Sequence, residues 1–352
     1  MAIRTVPAGS YPIALLTLAA TLAACGAAKG PDDSALSGNV SIDGSATVIP
    51  LTQTMANAFR GLHPSVQFRI ELSGTGGGFK KFCSGQTDIE DASRPINSAE
   101  NEQCKTEGIQ YVEIPVGFDS LSVLVNARNS FVDCLTVAEL KAIWEPAAEG
   151  KITQWKQIRA GFPAQSLKLF GPGRASGTFD YFTLAIVGTE DSSREDYTKS
   201  EDDVVIERGI AGEADALGYF GYAYYQAHKD ELKLVAVDSG HGCVLPGPKT
   251  VADGSYQPLT RPLFLYVNLA AAARPEVNSF IRFYLSPTSA QYVSSVGYVP
   301  LPAAALVTQA SRFEKGTTGS TLGGHGSVTG VALNDFDDEE RQRDRVRDAL
   351  VQ

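Results

Sequence analysis

The chain has 352 residues, of which 43 % are hydrophobic and 20 % charged, and a formal net charge of −10. That is enough length and apolar material for about two globular domains. The acidic balance excludes a general nucleic-acid binder, which needs a basic face, but not a binder of a small anion, because local dipoles can outweigh global charge.

Arg4 precedes an apolar run from Ile13 to Ala24, too short to span a bilayer as a helix. The run ends in small residues at "LAAC", the pattern of a signal peptide, and a cysteine right after Leu22-Ala23-Ala24 resembles the lipobox of bacterial lipoproteins. That resemblance implies a signal peptide over residues 1–24 and a lipidated Cys25 as the first mature residue. Cleavage there removes only Arg4 and takes the charge from −10 to −11. Export leaves Cys83, Cys104, Cys134 and Cys243, an even number for an oxidising compartment, with three pairings open. Without a CxxC unit, and with His63, His228, His241 and His325 in no ligand spacing, no metal site is expected.

Residues 26–38 are small and polar and read as a tether. A strand-like "NVSIDGS" is followed by a helical stretch that runs to Pro64. "VQFRIEL" alternates Val66, Phe68, Ile70 and Leu72 on one face, a strand signal. "SGTGGGFKKF" comes next, and its glycines predict a loop with a helix opening at about Gly78. "GIQYVEIPVGFDSLSVLVNA" predicts two strands bent near Pro115–Asp119. Thr136 and Glu139 form a capping box. "LKLFGPGRASGTFDYFTLAIVG" repeats the strand–loop–helix plan, and "RPLFLYVN" is a late strand. The globular part is expected to close near residue 301, followed by a Gly/Ser/Thr-rich stretch and a charge-dense tail that reads as solvated.

Three segments, "DGSATV", "SGTGGG" and "RASGTF", place hydroxyls and glycines where a strand turns into a helix. A helix N-terminus leaves backbone N–H groups unpaired and carries partial positive charge, so three such termini on one point can replace an oxyanion's hydration shell. Each alone is an ordinary helix cap. Nucleotide motifs are absent: Phe79 stands where a P-loop needs glycine, and Gly74, Gly76, Gly77 and Gly78 do not give G-x-G-x-x-G. A G-x-S-x-G elbow is absent too, as is any nucleophile beside a base or metal.

"DGSATVIPL", "SGTGGGFKKF", "DIEDASRPI", "SGTFDYF" and "RPLFLYVN", in this order and behind a lipobox, resemble the phosphate-binding lipoprotein of Pst-type ABC phosphate importers over about residues 39–312. The resemblance implies an α/β, two-lobed periplasmic-binding-protein fold (type II) with crossover strands forming a hinge. As parsed from the sequence, lobe 1 comprises residues 39–125 and 256–312 and lobe 2 residues 126–255, with 25–38 a tether and 313–352 a Gly/Ser-rich segment and charged tail. It implies a monomeric non-enzyme without cofactor, anchored on the extracytoplasmic side of the cell envelope, that takes up inorganic phosphate and hands it to a membrane permease. Other oxyanions such as sulfate or molybdate, a phosphatase-like enzyme and a surface sensor or adhesion protein are the competing readings.

Carried over by motif, the anion site comprises Ser45, Thr47 and the Val48 amide, Thr75, Ser93, Arg94, and Ser176, Gly177 and Thr178. Family members carry aspartate where this chain has Arg94, and arginine where it has Pro172. The resemblance therefore leaves the proton acceptor to another carboxylate, with Asp180 and Asp119 as candidates, or Asp180 simply neutralises Arg94 or Arg174. Pairing cysteines within lobes keeps the hinge free, which implies Cys83–Cys104 and Cys134–Cys243.

Overall fold

The computed structural model describes residues 1–2 and 36–338; Cys25, the signal peptide and the end of the charged tail lie outside the described residues. Strands β1 (Ser37–Gly44) and β2 (Ser65–Ile70) run parallel and are joined by α1 (Ile49–Leu62). Helix α1 buries Ile49, Leu51, Met55, Ala56 and Phe59 along one stripe, and Pro50 sits in its first turn, where no N–H is needed. Helix α2 (Thr75–Cys83) starts three residues earlier than the glycine run predicts. The glycines lie in its first turn, because buried Phe79, Phe82 and Cys83 anchor the helix and tertiary packing overrides their weak propensity. Strand β3 (Ile89–Ala92) lies parallel to β1, and α3 (Ser98–Thr106) opens with a capping box of Asn97 and Glu100.

Strand β4 (Tyr111–Asn126) is one strand of 16 residues where the sequence predicts two. Pro115 and Gly117 do not break it; a register shift against the late strand Thr260–Asn268 absorbs them. Next come β5 (Cys134–Thr136), α4 (Val137–Trp144), capped by Thr136 and Glu139 as the sequence predicts, and β6 (Lys168–Pro172). After them follow α5 (Gly177–Phe182), β7 (Thr198–Ser200), β8 (Ala216–Gly221), β9 (Leu232–Asp238), β10 (Cys243–Val244) and β11 (Thr260–Asn268).

The strand order is β2-β1-β3-β11-β4-β8-β6-β7, with β9 also on β4 and flanked by β5 and β10. Strand β4 divides this array. Tyr111–Ser120 pairs with β11, and Leu121–Asn126 pairs with β8 and β9. The hydrophobic core changes with it: Phe118 packs in the first core and Leu121 in the second. On the return, Leu259 belongs to the second core and Leu263 to the first. The result is two lobes linked by crossover strands. Cys83 and Cys104 are bonded within the first lobe; Cys134 and Cys243 tie β5 to β10 across β9 in the second. Neither bond spans the crossover.

The chain does not leave the core at residue 301 or 312. Helix Ala303–Glu314 contributes Ala305 and Phe313, and the Gly/Ser-rich stretch beyond it contributes Leu322, Val331 and Phe336 to the first core. The ring of Phe336 lies 5.9 Å from Phe118 and 6.4 Å from Phe264.

Candidate functional site

The three Ser/Thr-Gly turns meet where the lobes face each other. At the first, Ser45 Oγ accepts from the Thr47 N–H at 3.2 Å. The Val48 N–H, carried over as an anion donor, is bonded to the Ser45 carbonyl at 3.0 Å. At the second, Thr75 Oγ1 lies 3.2 Å from Ser93 Oγ and accepts from the Ser93 N–H at 3.3 Å. At the third, Ser176 caps α5, its Oγ accepting from the Thr178 N–H at 3.2 Å. Between lobes, Thr47 Oγ1 lies 3.1 Å from Thr178 Oγ1, and the Gly76 N–H donates to the Ala175 carbonyl at 3.0 Å. All these side chains are buried.

Two glycines permit this approach. Gly74 has φ +72°, and a Cβ on it would lie 2.5 Å from the Ala175 carbonyl oxygen. A Cβ on Gly177 would lie 2.6 Å from both Ser93 Oγ and Thr75 Oγ1. Gly177→Ala should therefore push those hydroxyls out of line or hold the lobes apart. Ligand affinity should fall about tenfold, as for the loss of one hydrogen bond to a charged group, with little change in the unfolding midpoint. Calorimetric titration beside a thermal melt checks both.

Arg94 is placed differently from an anion-binding cation. Its Nη1 and Nη2 donate to Glu100 Oε2 and Oε1 at 2.8 and 2.7 Å within the first lobe, and its Nε donates to Asp180 Oδ2 across the cleft. It is 3 % exposed, and two carboxylates occupy its fork. Asp180 thus neutralises Arg94. Arg174 pairs elsewhere, with Glu195. Burial pushes the Asp180 carboxyl up to about 7, with Arg94 pulling the other way.

The central cation is Arg261, fully buried near the start of β11. Its Nη2 donates to Thr47 Oγ1 at 3.0 Å, to Thr178 Oγ1 at 2.9 Å and to Asp119 Oδ2 at 3.0 Å; its Nη1 donates to the Gly177 carbonyl at 3.3 Å. Asp119 is its direct partner in the β4–β11 register. Asp119 Oδ1 is buried without a well-formed hydrogen bond. Burial pushes the carboxyl up to about 6, opposed by Arg261 and by the Ser120 and Tyr222 N–H groups. A third acid, Asp203, is 2 % exposed; burial pushes it up to about 7, with the charge of Arg261 pulling the other way. The sequence motifs assign no role to Arg261 or Asp203. For Arg261 the available signal is a single charge at the head of an otherwise apolar strand, which must find a buried partner.

Chemically, this is a cluster of hydroxyls and helix termini beside one buried arginine–carboxylate pair. Among the described residues no group of side chains is arranged to hold a metal ion, and no helix is long and apolar enough to cross a membrane.

A model of the PBP superfamily domain matches residues 29–288. Protein SphX of Synechocystis is 47 % identical over 329 residues, which cover 93 % of this chain and 95 % of that protein. The phosphate-binding protein PstS of Staphylococcus saprophyticus is 35 % identical over 295 residues, 83 % and 90 % of the two chains. The crystal structure of a possible phosphate binding protein from Planctomyces limnophilus is 43 % identical with a TM-score of 0.59, covering 80 % of this chain and 99 % of that one.

Proposed function

The chain belongs to the PBP superfamily, and from that premise we propose that it captures inorganic phosphate outside the cytoplasm and delivers it to the permease of an ABC importer. The observation that carries this reading is the meeting of hydroxyls from both lobes: Thr47 and Thr178 on the buried guanidinium of Arg261, and Thr75 and Ser93 against Gly177, beside the Ser176 cap. Such fixed donors substitute for an oxyanion's water shell, and closure of the lobes makes each worth more than it is in water. The protein does no chemistry on its ligand and needs no cofactor. It is a monomer held to the membrane by lipid on Cys25, with residues 1–24 removed.

Saturable binding of labelled phosphate by the purified protein, without turnover of a phosphate ester, is the expected result; binding of sulfate or molybdate in preference would overturn it. Within that assay, Thr75→Ala and Ser176→Ala should each weaken phosphate affinity by about 1.5–3 kcal/mol, the contribution of a hydrogen bond to a charged group, or roughly ten- to a hundredfold. Unchanged affinity in both would mean that these hydroxyls only cap helices.

A further inference from the structure

The last described stretch of the chain forms a strap over the first lobe. The Gly319 N–H donates to the Tyr111 carbonyl at 3.0 Å, and the Thr321 N–H donates to Glu113 Oε1 at 2.6 Å. Glu113 is fully buried and also accepts from the Tyr266 hydroxyl. Leu322 enters the first core, His325 Nδ1 lies 3.1 Å from Ser98 Oγ, and the Gly326 N–H donates to the Ile96 carbonyl at 3.1 Å. One residue later the strap touches the other lobe. The Ser327 hydroxyl and N–H both donate to Glu190 Oε1, at 2.9 and 3.3 Å. The chain then returns to the first core at Val331 and Phe336. The same Glu190 oxygen lies 3.9 Å from Arg94 Nε, the atom that pairs with Asp180.

We infer that Ser327 and Glu190 are positioning residues for ligand capture: the strap apex grips Glu190 when the lobes meet and holds it beside the Arg94–Asp180 pair. Glu190 belongs to the loop after α5, in the second lobe, whereas every other strap contact named is to the first. Separating the lobes by a hinge motion breaks the Ser327–Glu190 contacts and leaves Glu190 and Asp180 as neighbouring acids without Arg94. The strap lies past residue 288, where the match to the superfamily domain ends. Its effect belongs in the dissociation rate, because its contacts form after the ligand has entered.

The inference rests on phosphate being the ligand, and its test separates the two. Association and dissociation of labelled phosphate are measured for the wild type, Glu190→Ala, Ser327→Ala and the double variant. Each single change should speed dissociation roughly three- to tenfold with association unchanged, and the double variant should match the stronger single one, because both remove one contact. Wild-type dissociation rates in both singles, or effects that multiply, would overturn the strap. If the wild type binds no phosphate, the phosphate reading fails and small-angle scattering of the ligand-free proteins decides on the strap. A more extended double variant supports it; identical profiles overturn it.

Discussion

Replacing Arg261 with methionine should weaken phosphate binding by about 2–5 kcal/mol, roughly thirtyfold at least, a larger effect than any single hydroxyl substitution. The guanidinium is fully buried and reaches into both lobes: its Nη2 is shared by Thr47 Oγ1 and Thr178 Oγ1, and its Nη1 by the Gly177 carbonyl. It is the cation left for the ligand, because Arg94 is committed to Glu100 and Asp180. Removing one partner of a buried pair also strands the other, so Asp119 should lose its acceptor geometry and take up a proton. Arg261→Lys keeps the charge but not the planar fork and cannot reach Thr47, Thr178 and Asp119 together; it should fall between wild type and Arg261→Met. Calorimetric phosphate titration, with a denaturant melt to confirm folding, reads the order. A well-folded Arg261→Met with wild-type affinity would remove Arg261 from the site.

The sequence carries this site unevenly, for a physical reason. Local signals hold: the apolar stripe of α1, the alternation of Val66, Phe68 and Ile70, the Thr136–Glu139 box and the hydroxyl-bearing turns each depend on residues a few positions apart. Arg261 is different. Its partners Asp119, Thr178 and Thr47 stand 142, 83 and 214 positions away, and only the β4–β11 register brings Asp119 opposite it. Pro115 and Gly117 read as breakers, yet a shifted ladder accommodates them inside one strand. The Gly/Ser-rich C-terminal stretch reads as lying beyond the globular part because composition does not reveal that buried Glu113 needs the Thr321 N–H. Arg94 fails in the opposite sense: a motif position predicts a ligand contact, and two carboxylates close at hand take it instead.

Selectivity for phosphate over sulfate should depend on Asp119 and on pH. Phosphate near neutrality is mostly a dianion that keeps one proton, and sulfate keeps none. A buried ionised carboxylate accepts that proton and repels sulfate, a difference of several kcal/mol, or about a hundredfold or more. Asp119 has the less committed acceptor: Arg261 takes Oδ2, and Oδ1 has no well-formed hydrogen bond, although the Ser120 and Tyr222 N–H groups act on the carboxyl; Asp180 is held by Arg94. Burial pushes the Asp119 carboxyl up to about 6, so it is ionised at pH 8 and protonated at pH 5. Sulfate should therefore fail to compete with labelled phosphate at pH 8 and begin to compete at pH 5. Asp119→Asn should admit sulfate at both pH values and weaken phosphate, whereas Asp180→Asn should keep the wild-type preference. The sign of the linked stability is also set. A carboxyl raised from 3.8 to about 6 favours folding when protonated, so its contribution is complete below about pH 4 and is lost as pH rises through about 6. Asp119→Asn should flatten that part of the stability profile, which shows in the same preparation that the side chain titrates inside a folded protein. Sulfate exclusion that persists in Asp119→Asn at pH 8 would take the acceptor role away from Asp119. It would pass the role to Asp203, at the start of helix Asp203–Gly212, whose carboxyl burial also raises and the charge of Arg261 lowers.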